Sequence, residues 1–341
     1  MTKPELELHT SPHLKSAQDV IVIMRNVVYA LLPICAFSVY LFGISMLTML
    51  ITVTISCLLT ERFFNWVGNR PDTLSDYSAL ITGLLLALTL PPGFPLWMGV
   101  VASVAAIGLG KALFGGLGFN VFNPALVGRA FVQAAFPVAI TTWSPALLPN
   151  RFIDFIPTTL TAPLMKPVTI DAFTGATPLS LRKFEGIETS TLDLMTGFTT
   201  GSAGETSAVL ILLCGAYLAF RRMLDWRIPA SIILGTLITS GLLYTIDADK
   251  FGSPLFMLFS GGLMLGAVFM ATDMVGSPVT PLGVIIYGLL IGFVTVIIRE
   301  FGGLPEGVMY AILLGNAATP LIDQLTQPRV FGERPTSGAD A

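Results

Sequence analysis

A few positions in this apolar sequence carry side chains that could do chemistry or hold a ligand. The densest stretch is Asp171-Ala172-Phe173-Thr174-Gly175-Ala176-Thr177-Pro178-Leu179. Gly175 and Ala176 leave the backbone open to close approach by a bulky group, and Pro178 stiffens the chain after them. Thr177 offers a hydroxyl, but a secondary alcohol needs a base before it can attack. The only histidines, His9 and His13, lie in the polar N-terminal segment. Thr177 therefore reads as an acceptor on which another enzyme works, or the stretch is simply a Gly/Pro turn. Asn120 and Asn123 each bring donors and an acceptor to the mouth of an interrupted helix. They suit the polar edge of a ligand, or they serve as an Asn-Pro helix start. Asp273 stands at another helix break, where a carboxylate either meets a hard cation or caps a helix end. Lys111 and Arg129 fall within or beside apolar spans and are expected to pair with carbonyls or lipid phosphates. Asp323 is expected at the membrane surface.

Other chemistries find no support. Cys35, Cys57 and Cys214 stand singly in apolar runs, without the paired spacing of a zinc or iron–sulfur site, and read as small buried residues. Gly108-Leu109-Gly110 lies inside a span, so it is no dinucleotide-binding loop. The basic residues are scattered, which argues against nucleic acid as a partner.

The elements that must position these groups are membrane helices. Charged residues make up 11% of the 341 positions, against about 25% in soluble chains, and mean hydropathy is +0.79. Hydropathy and Pro/Gly breaks place about ten spans. They lie near 27–43, 44–60, 77–90, 95–114, 121–137, 205–220, 228–246, 254–271, 281–298 and 305–325. The start of the chain lacks the apolar core of a secretory signal, so the first span is expected to be retained. Residues 1–26 form a polar N-terminal segment, 27–137 a first membrane repeat, 138–204 a long loop, 205–327 a second repeat and 328–341 a tail. Each repeat has a helix break (Pro91-Pro92-Gly93; Thr272-Asp273), a span ending in Lys111 or Arg299, a glycine pair, and a helix with Asn123-Pro124-Ala125 or Asn316-Ala317-Ala318. Five spans per half would invert the second repeat relative to the first, as in many transport folds. The two breaks would then flank a shared central region. Lysine and arginine in short loops, such as Arg62, Arg70, Arg221 and Arg222, put both termini in the cytoplasm and 138–204 outside it. In that loop Trp143, Phe152, Phe155 and Phe184 are available to bury apolar area.

The stretch ending at Thr177 resembles the Asp-x-x-(Ser/Thr)-Gly-Ala-Thr flavinylation motif. Residues 115–116, Phe119 to Ala125, and Ala271 to Pro278 also resemble the D subunit of Rnf-type electron-transport complexes. The related B subunit of the sodium-pumping NADH:quinone reductase has a longer N-terminal extension than this sequence. The resemblance implies an all-α polytopic protein of the bacterial inner membrane. It implies FMN on Thr177 through a phosphoester, attached by a flavin transferase that recognises Asp171, Thr174, Gly175 and Ala176. It implies a second, noncovalent flavin, riboflavin, for which Asn120 and Asn123 are the candidate ligands. Asp273 is the candidate for the ion pathway. The expected partners are the other Rnf subunits (A, B, C, E and G), which would bind ferredoxin and NAD. The expected function is electron relay coupled to sodium or proton movement. A stand-alone transporter or channel for a small solute is the competing reading, since inverted repeats suit it equally well.

Overall fold

A computed structural model describes residues 19–163, 165, 175–205 and 207–327. Among these residues the protein is helical throughout, with no strand. The first half contains α1 (Val20–Phe42), α2 (Ile44–Val67), α3 (Ser78–Thr89), α4 (Leu96–Gly110) and α5 (Pro124–Ala135). Short helices follow: α6 (Pro137–Thr141), α7 (Pro178–Ser180), which continues as a π turn over Leu181–Glu185, and α8 (Thr191–Thr196). The second half contains α9 (Ala208–Phe220), α10 (Arg227–Ile246), α11 (Pro254–Phe259), α12 (Leu263–Leu265) with a π turn over Gly266–Met270, α13 (Pro281–Phe301) and α14 (Val308–Leu325).

Five of these helices are long and apolar enough to cross a membrane: α1, α2, α4 with its following turn, α10 and α13. The other passes are shorter or broken. The outward faces are apolar, as lipid requires. On α2 the exposed residues Leu47, Ile51, Ile55, Leu59 and Phe63 recur every fourth position and form one stripe. Inside, α10 meets α13 through small residues. Gly288 and Gly292 are four apart, and a Cβ on either would strike Ser231 or the backbone of Ile232 to Thr236. Close backbone approach of this kind supplies van der Waals packing where lipid offers no hydrophobic drive.

The connections sort onto two faces. The turns α1–α2, α3–α4, α10–α11 and α13–α14 all bond to the long loop. Ile44 N–H donates to Arg151 O (2.9 Å), Leu96 N–H to Thr159 O (3.1 Å), Ser253 N–H to Glu188 Oε1 (3.0 Å), and Lys183 Nζ to Arg299 O (2.7 Å). Call this the loop face. The α2–α3, α4–α5 and α12–α13 connections meet on the opposite face, where Arg70 donates to Gly115 O and Asn120 to Asp273. The chain enters the first half from that opposite face and the second half from the loop face. Within each half the second helix packs on the fourth and the fourth on the fifth.

The observed helices depart from the expected spans mainly at their ends. The first begins at Val20 and the second runs to Val67, because both project beyond the apolar stretch. The pass expected over 254–271 is interrupted at 260–262 and resumes in a π turn. In the loop, Phe152 and Phe184 are exposed and do not build a core. The small core there is Leu179, Leu194 and Phe256, the last contributed by the second half. Asp273 and Pro91-Pro92-Gly93 do not flank one region. The Pro-Pro break sits under the loop, with Gly93 O accepting from Thr158, while Asp273 is on the opposite face. Opposed repeats place equivalent breaks at opposite ends. Asn316 is not the positional counterpart of Asn123 either: Asn123 caps a helix start, whereas Asn316 lies within α14.

Candidate functional site: a cavity between the two halves

Asn120 and Asn123, and Asp273 from 150 residues further along, line one cavity of about 100 Å³. Asn123 is the N-cap of α5. Its Oδ1 accepts from Ala125 N–H (3.0 Å), while its Nδ2 donates across the interface to Met270 O (3.1 Å). It thus ties the first half to the π turn of the second. Asn316 braces the same point, accepting from Asn123 N–H (3.1 Å) and donating to Tyr287 Oη (2.7 Å), whose hydroxyl donates to Ala271 O (3.3 Å). Asn120 Nδ2 donates to Phe122 O and to Asp273 Oδ2, each at 3.3 Å. Asp273 Oδ1 accepts from Val275 N–H (3.3 Å) and so also closes its own turn. Asn123 and Asp273 thus act as caps, and all three groups also face the cavity.

The rest of the lining is mostly apolar, with Ile23, Val27, Ile81, Leu85 and Phe269 among it. Ser78, Lys111 and Thr272 add polar atoms at the same end as the asparagines. The lining thus combines apolar walls with a few convergent polar groups.

Lys111 does not pair with carbonyls or lipid phosphate. Its Nζ donates to Glu61 Oε1 (2.7 Å) and Ser78 Oγ (2.5 Å), and both members of the ion pair are about one-twentieth exposed. Glu61 also accepts from Thr73 Oγ1 (2.5 Å), but its Oε2 has no partner. Sequence reasoning missed Glu61, a carboxylate near the end of an apolar run, and charge cost in a membrane interior is the signal that would have found it. Arg129 makes no such bond at all, and its Nε is buried without a partner. Asp323 accepts from Val279 N–H and joins the α12–α13 connection to α14. The three cysteines are buried and unpaired.

Thr177 lies well away from this cavity, on the loop face. It is 5% exposed and caps α7: Oγ1 accepts from Ser180 N–H (3.2 Å) and shares a hydrogen bond with Ser180 Oγ (2.9 Å). Gly175 N–H donates to Trp143 O (2.9 Å). Its missing side chain is filled by Thr200 rather than left open to a ligand. Ala176 is exposed. Asp171 and Thr174 lie outside the described residues.

Residues 7–332 match the model of the NQR2, RnfD, RnfE family. The chain is 41% identical over 338 residues to the D subunit of the proton-translocating ferredoxin:NAD(+) oxidoreductase complex of Clostridium ljungdahlii, covering 96% of each chain. It is 42% identical over 336 residues to the D subunit of the Na(+)-translocating ferredoxin:NAD(+) oxidoreductase complex of Acetobacterium woodii, covering 97% of each. The D subunit of an ion-translocating oxidoreductase complex of Alcanivorax borkumensis is 38% identical over 334 residues. Matched along nearly its whole length, with Asn120 and Asn123 of one half and Asp273 of the other brought to one cavity, this chain belongs to the NQR2, RnfD, RnfE family.

Proposed function

We propose that this protein is the membrane-embedded D subunit of an Rnf-type complex, relaying electrons through two flavins in support of ion-translocating ferredoxin:NAD(+) oxidoreduction. It is a subunit of the translocase and not a catalyst alone. FMN would be held on Thr177 by a phosphoester made by a flavin transferase. Riboflavin would occupy the cavity between the halves. The observation that carries the flavin reading is that cavity. Its apolar walls, with Asn120, Asn123 and Asp273 among the polar lining, suit a ring system carrying polar atoms on one edge.

When bound, a flavin supplies one-electron redox chemistry, and the protein supplies placement and electrostatics. Asn120 and Asn123 would hold the polar edge of such a ring. Asp273 orients Asn120 by accepting its Nδ2. Ile81, Leu85 and Phe269, in the apolar lining, would exclude water from it. On the other face, Thr177 offers a single oxygen, and Ser180 fixes its rotamer. The Thr177 hydroxyl is buried in the folded loop, which supports attachment before the loop closes. Asp273, in the lining of the same cavity, would also serve as the ion-pathway carboxylate.

Both termini are assigned to the cytoplasm and residues 138–204 to the far side of the bacterial inner membrane. The charge of the short loops supports this: Arg62, Arg70, Arg221 and Arg222 all lie on the face opposite the loop. A cysteine replacing Ser190 should react with an impermeant thiol reagent in intact spheroplasts, and one replacing Ser337 only after lysis. The reverse pattern would invert the topology. The flavin reading is tested by denaturing the purified complex and assaying this subunit's band for retained flavin and the supernatant for released riboflavin. Absence of both would sink it.

A further inference from the structure

The side chain of Asn123 has its orientation imposed from outside the cavity. Its Oδ1 accepts from Ala125 N–H and its Nδ2 donates to Met270 O, so one N–H and one lone pair of the amide stay free for a ligand, in a fixed plane. Two side chains behind it complete a closed circuit of hydrogen bonds. Asn123 N–H donates to Asn316 Oδ1 (3.1 Å), Asn316 Nδ2 donates to Tyr287 Oη (2.7 Å), and Tyr287 O–H donates to Ala271 O (3.3 Å). Ala271 follows Met270, whose carbonyl accepts from the Asn123 amide (3.1 Å) and closes the circuit. Four elements meet in it: α5, α14, α13 and the end of the π turn.

Tyr287 and Asn316 are both buried, and neither is part of the cavity lining. Bare glycines make room for them. A Cβ on Gly315 would press on the Tyr287 ring (2.9 Å), and one on Gly276 would press on the Asn316 amide (3.1 Å). Thr319, also on α14, donates to Gly276 O (2.8 Å). Thr272, Asp273 and Met274 line the cavity, and the chain is tied on both sides of them, at Ala271 by Tyr287 and at Gly276 by Thr319. The Asn123 N–H precedes α5 and has no acceptor within that helix, so Asn316 is what satisfies it. A buried polar circuit with every member satisfied rigidifies what it joins. Here it joins the two sides of the cavity's polar edge.

We propose that Tyr287 and Asn316 are positioning residues, which act through Asn123 to aim its amide at the polar edge of a ring bound in the cavity. The inference rests on the riboflavin reading of that cavity. Neither residue touches the ligand: Tyr287 fixes the π-turn end on which the Asn123 amide leans, and Asn316 fixes the Asn123 backbone.

The test adds riboflavin, labelled with carbon-13 at its ring carbonyls, to the purified complex after its own riboflavin has been washed out. Two quantities are read: the Kd, from quenching of riboflavin fluorescence, and the infrared carbonyl band of the bound label. Tyr287→Phe removes one oxygen outside the cavity. It should raise the Kd about two- to tenfold, the worth of one hydrogen bond, and move the carbonyl band as its hydrogen bonding weakens. Asn123→Ser keeps a cap on α5 but withdraws the amide, and should move both quantities alone. Adding Tyr287→Phe to Asn123→Ser should then change neither further, because the group it positions is gone. A merely structural role would lower thermal stability without moving the band of the bound label. An unmoved band and Kd in Tyr287→Phe, no effect of Asn123→Ser, or full additivity of the two changes overturns the proposal. Wild-type complex that takes up no riboflavin overturns the riboflavin reading itself, and the positioning role with it. Asn316→Leu cuts the same circuit at its other member and is read in the same way if Tyr287→Phe does not assemble.

Discussion

Lys111 and Arg129 are both cations buried in the first half, yet their surroundings differ. Lys111 closes the C-terminal end of α4 with an ion pair to Glu61 and a bond to Ser78, over 50 and 33 residues of chain. Arg129 stands one helix later, facing a void, with no hydrogen-bonded partner among the described residues. The first arrangement is structural: it pins α2, α3 and α4 together beside the Asn120 cavity. The second leaves a charge available to respond to its neighbours. Burial of a cation alone therefore says little about role, and the saturation of its donors says much.

Removing the saturated cation should have the largest effect. Lys111→Met leaves Glu61 buried without its counter-ion and should destabilise the subunit by about 3–5 kcal/mol. Thermal unfolding of the purified complex reads this, and the double variant Glu61→Gln/Lys111→Met should recover most of the loss. Equal damage in the single and double variants would mean that the pair does not hold this end together. Asn123→Ala comes next. It loses the α5 cap and the bond to Met270 O, at a cost of about 1 kcal/mol for the cap alone. Releasable riboflavin should fall in the same variant while FMN on Thr177 persists. Unchanged riboflavin would remove Asn123 from the site. Arg129→Met should cost less than about 1 kcal/mol, since exchanging a poorly partnered buried charge for an apolar side chain is often neutral. A loss as large as that of Lys111→Met would erase the contrast. Asp273→Asn should change stability least. The complex should assemble with flavin on Thr177, while ion uptake into inverted vesicles per electron transferred falls. Unchanged uptake per electron would reduce Asp273 to a turn cap.

Much of this was legible in the sequence. The helices follow from apolar runs and Pro/Gly breaks, and Gly43 (φ 72°) makes the α1–α2 joint where the first two expected spans abut. The break residues Asn120, Asn123 and Asp273 were recognisable because polar side chains in spans are costly. What the sequence did not reveal was their union. Asn120 and Asp273 are 153 residues apart and meet only because the second half is inverted against the first. The same inversion explains why Asp273 and Pro91-Pro92-Gly93, similar as breaks, lie on opposite faces. Partner choice was also hidden. Lys111 could have turned to carbonyls or lipid, and only packing of α2 on α4 brings Glu61 to it. Gly175 looked open because it lacks a side chain, yet Thr200, 25 residues on, fills the space.

Whether this protein carries flavin, one copy of it covalently, is decided at the peptide containing Thr177. Mass spectrometry of the tryptic digest, after coexpression with a flavin transferase, should show one FMN phosphoester on Thr177. Thr177→Ala should abolish the adduct and the fluorescence of the denatured band, while Thr174→Ala leaves an acceptor in place. An unmodified Thr177 in the active native complex would mean that the covalent flavin reading is wrong.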